Sequence, residues 1–437
     1  MTYPDSAPRP EAAVAERPDD AGASPPPPSR PPTRRAPGRA LRALAPSRGE
    51  AIAAAGSAAL FAIAFPPFPL VVPAFLCLVP LAIYVARLAD LQGDTAVGSA
   101  ARAGFWFGII GYGSNLYWIA VALSLFTKLA IAGYIAALLW LAPFVALTTA
   151  ALFLARRHTR WPLALLLPLV WVASELVLNY LADLAFPWLP LGLSVAGHPV
   201  LAQIADLSGV RGVSFWIAAT NGLLADAWLL LRPTPPADLD SATSRGTGGR
   251  AAIRVVAAGV LAVAVFAYGQ WRMRTTRLET VAPIAIVQPN IPEDEKLQRE
   301  NPDMFVGKLA ALTRENYATS DPALMVWPET ALPDFLLQHP NWPDSIVALA
   351  HVERVPLVFG VLDLQWKEPL RPPSAGGDDE PQYDYYNAAL LADGSGRIGV
   401  QPPYRKGFLV PIVERVPFLN PAWFGGLKYF GGFGRGV

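Results

Sequence analysis

The sequence predicts an α-helical membrane bundle followed by an α/β domain, on the basis of three observations. Hydrophobic residues make up 53% of the 437 residues and charged residues only 16%, with a mean hydropathy of +0.33. Long apolar runs fill the chain up to about residue 272, which is typical of helices that cross a bilayer. Shorter apolar segments with turn signals follow, which is typical of a globular domain of strands and helices.

Residues 1–48 precede the first apolar run and have a different composition. They are rich in Pro, Ala and Arg and contain few large apolar side chains. Such a segment cannot bury enough surface to offset the entropy lost on ordering, so we predict a disordered tail. The segment is too long and too polar to be a cleavable signal peptide.

Seven apolar runs predict a bundle of about seven transmembrane helices in residues 49–272. The runs lie at 51–65, 70–88, 104–126, 129–155, 161–182, 213–231 and 252–271. Each of the later five is about as long as a helix that crosses a bilayer. The first two are short and interrupted by prolines, which favours tilted or partly re-entrant segments.

The distribution of basic residues predicts the orientation of the bundle. Arginines occupy the tail up to Arg48 and the second, fourth and sixth connections: Arg87, Arg102, Arg156, Arg157, Arg160, Arg232, Arg245 and Arg250. The other connections are poorer in positive charge, although Lys128 and Arg211 lie there. Because basic residues favour the cytoplasmic side, we expect a cytoplasmic N-terminus. Residues 273–437 then lie outside, on the periplasmic side of a bacterial inner membrane.

Residues 273–437 contain the signals of an α/β domain. The segments VAPIAIVQPNI, ALMVWPE and PLVFGVLDL predict strands, and helical periodicity extends from Asn301 to Asn316. The segment YYNAALLADGSGRIGVQPPYRK predicts a hairpin with its turn at DGSG. We expect the strand ALMVWPE to end at Glu329.

Three residues of this domain are candidates for catalysis. Glu329 follows a predicted buried strand, where a rigid sheet positions a side chain well, and Trp327 and Pro328 should partly desolvate it. Partial desolvation raises the pKa of a carboxylate, which suits it to accept a proton from a thiol. The alternative is that Glu329 is an ordinary surface glutamate. Lys406 could stabilise an oxyanion or be an ordinary solvated lysine, and Glu414 could hold it in place.

Other polar residues carry weaker signals. The only cysteine, Cys77, lies in an apolar run, where a thiol is a poor nucleophile and usually a packing residue. The four scattered histidines form no metal motif, so we expect no metal and no cofactor. Three polar residues lie in or near apolar runs: Glu175, Asn179 and Asp206. They are either functional groups or residues that link helices. No basic cluster of the folded part suggests a nucleic-acid partner.

Several segments, in this order along the chain, resemble the apolipoprotein N-acyltransferase family. They are GFWFGIIGYGSNLYWI, WVASELVLNYLADLAFPWLPLG, LAQIADLSGVRGVSF, AIVQPNIP, VWPETALP, YYNAALL and YRKGFLVPIVERVPF. The resemblance covers the chain from about residue 50 onward. It implies a membrane bundle that carries a nitrilase-like domain, an αββα sandwich. The match departs from the family at Gly407–Phe408 and Ile412–Val413.

The resemblance also implies a Glu–Lys–Cys triad and a reaction. Glu329 matches the base, Lys406 the lysine and Glu414 an additional, supporting glutamate. The nucleophilic cysteine would follow the glycine-rich segment that ends this sequence, so we expect the chain to be truncated at its C-terminus and to lack its nucleophile. Its activity as it stands is therefore doubtful.

In the implied reaction, a cysteine thiolate takes an acyl chain from a phospholipid and forms a thioester. The acyl chain is then transferred to the N-terminal amine of the diacylglyceryl-cysteine of an apolipoprotein. This transfer is the last step of lipoprotein maturation. The partners are therefore a phospholipid donor, a lipidated protein acceptor and the bilayer. Two alternatives remain open: a membrane-tethered nitrilase-like amidase, and a nucleophile-free pseudoenzyme or binding protein.

Overall fold

The computed structural model describes most of the chain after the predicted tail. It describes residues 44–124, 130–181, 184–232, 247–292, 303–366, 383–399, 401–410, 414 and 433–434. The predicted disordered tail lies outside these residues except at its end. Most of the glycine-rich segment that ends the chain also lies outside them.

Seven helices of at least 13 residues occupy the described residues up to position 275. They are α1 (Arg48–Ile63), α2 (Val79–Leu91), α3 (Val97–Ser124), α4 (Ala130–Thr159), α5 (Leu163–Asn179), α6 (Ala205–Leu231) and α7 (Thr247–Thr275). Each overlaps one predicted apolar run, so the helical character of this region is confirmed. Among the described residues, Val72–Leu91, α4, α6 and α7 are long and apolar enough to cross a membrane. Seven crossings remain a prediction.

Small residues let two of the longest helices approach closely. A Cβ atom added at Gly108 of α3 would lie 2.8 Å from the Cα atom of Ala142 in α4. About two turns earlier in α3, the Ala100 carbonyl accepts a hydrogen bond from the Thr149 hydroxyl of α4 at 2.8 Å. Such contacts replace the hydrophobic driving force, which is weak between helices surrounded by lipid.

The proline-interrupted segment before α2 is held by a buried amide. Asn221 of α6 accepts a hydrogen bond from the Leu78 backbone N–H at 2.9 Å and donates to the Ala74 carbonyl at 3.0 Å. Backbone groups that leave helical pairing in an apolar bundle need such partners. A single side chain therefore stabilises the break that the prolines create.

The described residues after position 280 form a mixed sheet of six strands. The strands are β1 (Ile284–Ile286), β2 (Leu324–Val326), β3 (Leu332–Phe335), β4 (Leu357–Trp366), β5 (Tyr383–Ala392) and β6 (Tyr404–Arg405). The strand order is β1-β2-β4-β5-β6, and β3 also pairs with β4. The pairs among β1, β2, β3 and β4 are parallel, whereas β5 is antiparallel to both β4 and β6. An α/β domain is therefore confirmed.

Two helices connect the parallel strands. Helix α8 (Asp303–Ser320) lies between β1 and β2, and α9 (Asn341–Glu353) lies between β3 and β4. Trp327 is buried in the core, where its indole N–H donates to the Thr313 hydroxyl of α8 at 2.9 Å. This contact fixes the end of β2, and with it the turn that follows, against the core.

Strand β2 ends earlier than the sequence suggested. It ends at Val326 rather than at Glu329, although the Trp327 N–H still donates to the Val358 carbonyl of β4 at 2.8 Å. Pro328 has no N–H with which to continue the ladder, and Thr330 adopts a positive φ of 50°. Glu329 therefore lies in a turn beyond the strand.

The predicted hairpin is confirmed, with a short second arm. Strand β5 leads into the DGSG turn, where the Gly396 N–H donates to the Asp393 carbonyl at 2.8 Å and Gly396 adopts a φ of 82°. After this turn, the described residues that pair with β5 are Ile398, through a bridge, and the two residues of β6, followed by the Lys406 N–H. Lys406 directly follows β6 and is thereby placed beside the middle of β5.

Candidate active site

The turn that carries Glu329 packs against the backbone of strand β4. A Cβ atom added at Gly360 would lie 2.4 Å from the Pro328 carbonyl oxygen, 2.6 Å from the Thr330 nitrogen and 2.8 Å from the Glu329 Cα atom. All three neighbours are backbone atoms, which cannot rotate away as a flexible side chain can. The absence of a side chain at Gly360 therefore determines how closely the Glu329 turn approaches the sheet.

Replacing Gly360 by Ala should destabilise the protein and displace Glu329. Overpacking of this kind typically costs about 1–3 kcal/mol in the free energy of unfolding. The measurement is thermal unfolding of the protein in detergent. The matched control is Gly307→Ala on α8, where an added Cβ meets nothing within 4 Å, and where alanine should stabilise the helix slightly. An unchanged Tm for Gly360→Ala would contradict the packing argument.

Lys406 joins the two candidate carboxylates. Its Nζ atom donates to Glu329 Oε1 at 2.9 Å and to Glu414 Oε1 at 3.0 Å. Its backbone N–H donates to the Asn387 carbonyl of β5 at 2.9 Å, which fixes where the side chain starts. The structure therefore brings together all three residues that the sequence suggested, although 77 positions separate Glu329 from Lys406.

Asn387 completes this cluster, and the sequence analysis did not single it out. Its side-chain amide donates to Oε1 of Glu329 and, at 3.0 Å, to Oε1 of Glu414. Asn387 and Lys406 are thus two donors that share the same two acceptor oxygens. The available signal was one amide side chain within the otherwise apolar and aromatic strand YYNAALLA.

Glu414 is the buried member of the cluster. Its residue surface is 8% exposed, and Oε2 accepts the Val410 backbone N–H at 2.7 Å. The Glu414 N–H donates back to the Val410 carbonyl at 3.0 Å, and its own carbonyl accepts the Phe433 N–H at 3.0 Å. A carboxylate held by this many donors has one orientation, so it can fix the position of the Lys406 ammonium.

The electrostatic environment keeps Lys406 charged. Burial lowers the pKa of Lys406, but hydrogen bonds to Glu329 and Glu414 outweigh this effect and raise the pKa above its ordinary value. A lysine that stays protonated at neutral pH can stabilise a developing negative charge and cannot serve as a base.

Glu329 is more exposed than its neighbours Trp327 and Pro328 suggested. The Glu329 side chain is 63% exposed, whereas Trp327 is only 2% exposed. The indole of Trp327 thus lies in the core, whereas most of the Glu329 side chain, two residues further on, is in contact with solvent. The carboxylate is therefore accessible to a reacting group, which a buried glutamate would not be.

An open cavity of about 350 Å³ adjoins the cluster. Glu329, Asn387 and Lys406 form its polar side, and Trp327, Val358 and Tyr404 contribute to the rest of its lining. A mostly apolar cavity with a few convergent polar groups is the usual form of a small-molecule site. Here one carboxylate and one ammonium, both directed at the same space, are suited to proton transfer and to stabilising an anion.

Cys77 is a packing residue, as the sequence suggested. It is fully buried in the apolar core of the helices, and its thiol donates to the Ala74 carbonyl at 3.2 Å. It does not line the cavity beside Lys406. Among the residues that the structure describes, no group of three or more His, Cys, Asp or Glu side chains could hold a metal ion.

The polar residues of the bundle link its elements. Glu175 accepts the Trp171 indole N–H at 2.9 Å and the Leu191 backbone N–H at 2.7 Å, which joins α5 to the turn at residues 191–195. Asp206 forms an ion pair of 2.6 Å with Arg272 and so joins α6 to α7. For Glu175 and Asp206, these contacts favour the interpretation that the residues link helices over the interpretation that they are functional groups.

Helices of membrane-spanning length, followed by a mixed sheet with a lysine–carboxylate site, define a membrane protein that carries an α/β domain. The family model of the apolipoprotein N-acyltransferase N-terminal domain matches residues 57–223. This match lies within the helical region. It confirms the resemblance there independently of the site residues.

Relatives named apolipoprotein N-acyltransferase align with most of the chain. The protein of Chlorobaculum tepidum is 29% identical over 375 residues, which are 83% of this chain and 64% of that protein. The protein of Geobacter metallireducens is 28% identical over 371 residues, or 83% and 65%. The chain thus spans somewhat less than two thirds of their length. It is related to the apolipoprotein N-acyltransferase family, which is a family of acyltransferases.

Proposed function

We propose that this chain contributes the membrane bundle and the base and lysine of an apolipoprotein N-acyltransferase. The observation that carries the proposal is the Lys406 ammonium, which contacts both Glu329 and Glu414 beside an open cavity. The names of the relatives support the same activity. For residues 273–437 we propose a nitrilase-like αββα sandwich, of which the mixed sheet and helices α8 and α9 form a part.

The first half of the reaction transfers an acyl chain from a phospholipid to a cysteine. Glu329 takes the thiol proton, and the thiolate attacks the ester carbonyl of the phospholipid. Lys406 stabilises the negative oxygen of the tetrahedral intermediate. The lysophospholipid then leaves with the proton that Glu329 returns to its oxygen, and the acyl chain remains as a thioester.

The second half transfers the acyl chain to an amine. The N-terminal amine of a diacylglyceryl-cysteine attacks the thioester carbonyl, and Lys406 stabilises the second tetrahedral intermediate. Glu329 takes the amine proton and passes it to the sulfur as the C–S bond breaks, which leaves an amide and the regenerated thiol. Cys77 does not supply this thiol, because it is buried among the helices. The resemblance assigns the thiol to a cysteine that follows the glycine-rich segment at residues 425–436.

We further propose that the α/β domain faces the periplasm and the N-terminus the cytoplasm of a bacterial inner membrane. Both substrates carry acyl chains and leave a bilayer only slowly, so a site held by a membrane bundle can receive them laterally. The arginine-rich connections at Arg87, Arg156 and Arg232 support this orientation.

One experiment tests activity and orientation together. The protein is expressed from its whole open reading frame, so that whatever follows residue 437 is included, and membranes are prepared as sealed vesicles of either sidedness. A water-soluble peptide with a diacylglyceryl-cysteine at its N-terminus is added outside, and mass spectrometry follows N-acylation. Right-side-out vesicles should acylate the peptide, whereas inverted vesicles should not.

Each other result would contradict a defined part of the proposal. Acylation by inverted vesicles alone would overturn the orientation. Hydrolysis of a soluble amide without acyl transfer would favour the amidase. A protein that binds the peptide but forms no thioester and no product would be a pseudoenzyme or binding protein.

A further inference from the structure

A second cavity, of about 470 Å³, lies in the helical bundle, and five of its eleven lining residues are arginines. The arginines are Arg87, Arg156, Arg160, Arg232 and Arg254. Arg87 and Arg156 lie near the C-terminal ends of α2 and α4, Arg160 and Arg232 directly follow α4 and α6, and Arg254 lies near the N-terminus of α7. One end of the bundle therefore concentrates positive charge around an open space.

The two carboxylates of this cavity are already engaged. Asp90 pairs with Arg156 at 3.0 Å and with Arg160 at 3.0 Å. Asp226 is buried, and its two carboxylate oxygens accept the Leu163 and Ala164 backbone N–H groups at 3.0 Å each. Asp226 thus caps the N-terminus of α5.

Three of the arginines are not held by an ion pair, although Asp226 attracts Arg254 at longer range. Among the described residues, Arg87, Arg232 and Arg254 form no ion pair. Arg87 instead donates to the Arg232 carbonyl at 3.4 Å, and its buried Nε atom has no hydrogen-bond partner. The cavity thus holds more arginines than carboxylates. Because the excess like charges repel one another, an anion in the cavity would stabilise this end of the bundle.

This cavity is separate from the candidate active site. From Arg254 to the end of α7 at Thr275 the helix rises by roughly 30 Å, because each helical residue adds about 1.5 Å. The chain continues from Thr275 to the sheet that carries Glu329 and Lys406. The arginine cavity therefore lies at the end of α7 away from the connection to the active-site domain.

We propose that this cavity binds the phosphate of an anionic phospholipid headgroup in the cytoplasmic leaflet. Guanidinium groups bind phosphate oxygens in a bidentate manner, and basic pockets between membrane helices suit such headgroups. A lipid is favoured over a free anion because Leu91, Leu229 and Leu230 line the same cavity. Acyl chains can therefore leave along an apolar surface while the phosphate contacts the arginines.

The test measures lipid binding to the whole protein in detergent by native mass spectrometry. The probes are phosphatidylglycerol, phosphatidylcholine and inorganic phosphate. Phosphatidylglycerol should bind in preference to phosphatidylcholine, and Arg254→Gln should raise its dissociation constant by about five- to tenfold. The matched control is Arg250→Gln, one turn earlier on α7, which removes the same charge from an exposed position outside the cavity. Arg250→Gln should leave the dissociation constant within about twofold.

Two further variants distinguish the loss of a contact with the lipid from a folding defect caused by one substitution. Arg87→Gln on α2 should weaken phosphatidylglycerol binding as Arg254→Gln does, and Arg254→Lys should retain part of the affinity because it keeps the charge. Equal effects of Arg254→Gln and Arg250→Gln would overturn the proposal, since the arginines would then act only as a diffuse positive charge. Displacement of the lipid by an equal concentration of inorganic phosphate would also overturn it, in favour of a small-anion site.

Discussion

Replacing Glu329 by Gln should slow thioester formation by roughly two to four orders of magnitude, the usual contribution of a positioned general base. Glutamine keeps the shape of the side chain and an oxygen that can still accept from Lys406 Nζ, which lies 2.9 Å from Glu329 Oε1. It cannot take a proton from a thiol. Lys406 should therefore stay near its position, while the side chain at position 329 can no longer remove the thiol proton.

The measurement is single-turnover acylation of the protein from the whole open reading frame, followed by mass spectrometry. Glu315→Gln on α8 makes the same chemical change at an exposed position outside the cavity, and it should leave the rate unchanged. If Glu329→Gln acylates at the unmutated rate, Glu329 is not the base, and the proposed division of roles in the cluster fails.

Replacing Lys406 by Met should slow the same step by roughly two to three orders of magnitude, as expected for one lost oxyanion stabiliser. Methionine removes the ammonium and leaves an unbranched side chain of similar length. The carboxylates of Glu329 and Glu414 also lose the cation that they share. Substrate binding by the apolar part of the cavity should change much less than the rate of acylation.

The pH dependence of the acylation rate distinguishes a protonated Lys406, which stabilises an oxyanion, from a neutral Lys406, which acts as a base. Burial lowers the pKa of Lys406, but the hydrogen bonds to Glu329 and Glu414 outweigh it and raise the pKa above its ordinary value, so the charge of Lys406 is complete at neutral pH. The loss in Lys406→Met should therefore be the same at pH 6 and pH 8. A loss that grows as the pH rises through this range would instead indicate that neutral Lys406 acts as a base. Lys308→Met, at an exposed position of α8, is the matched control and should leave the rate unchanged.

Sequence reasoning found three of the four members of the cluster, for reasons that differ between them. Glu329 and Lys406 stand next to segments with clear strand and hairpin signals, and the resemblance supported both. Asn387 was missed because strand periodicity gives no reason to distinguish one amide within an apolar strand. Its role appears only when β5 lies beside the Glu329 turn and donates to both glutamates.

The solvent exposure of Glu329 and Glu414 could not be predicted from the sequence either. Neighbouring residues suggested partial desolvation of Glu329, yet most of its side chain is exposed, whereas Trp327 is buried in the core. Glu414 carried no burial signal, and it is the buried carboxylate. Burial depends on the direction in which a turn leaves the sheet, and a proline and a residue with positive φ decide that direction here.

The sequence by itself determined which parts of the chain are apolar helices, and it indicated β1, β2, β4, α8 and the hairpin of β5 and β6. It did not indicate β3 or α9. An apolar run of bilayer length must satisfy its backbone hydrogen bonds internally, so helix formation there follows from composition alone. The tertiary structure alone decided that Glu329, Asn387, Lys406 and Glu414 meet. Their contact depends on the register of β4, β5 and β6 and on the space left at Gly360. Register is set by pairing between residues distant in the chain, which local sequence preferences do not specify.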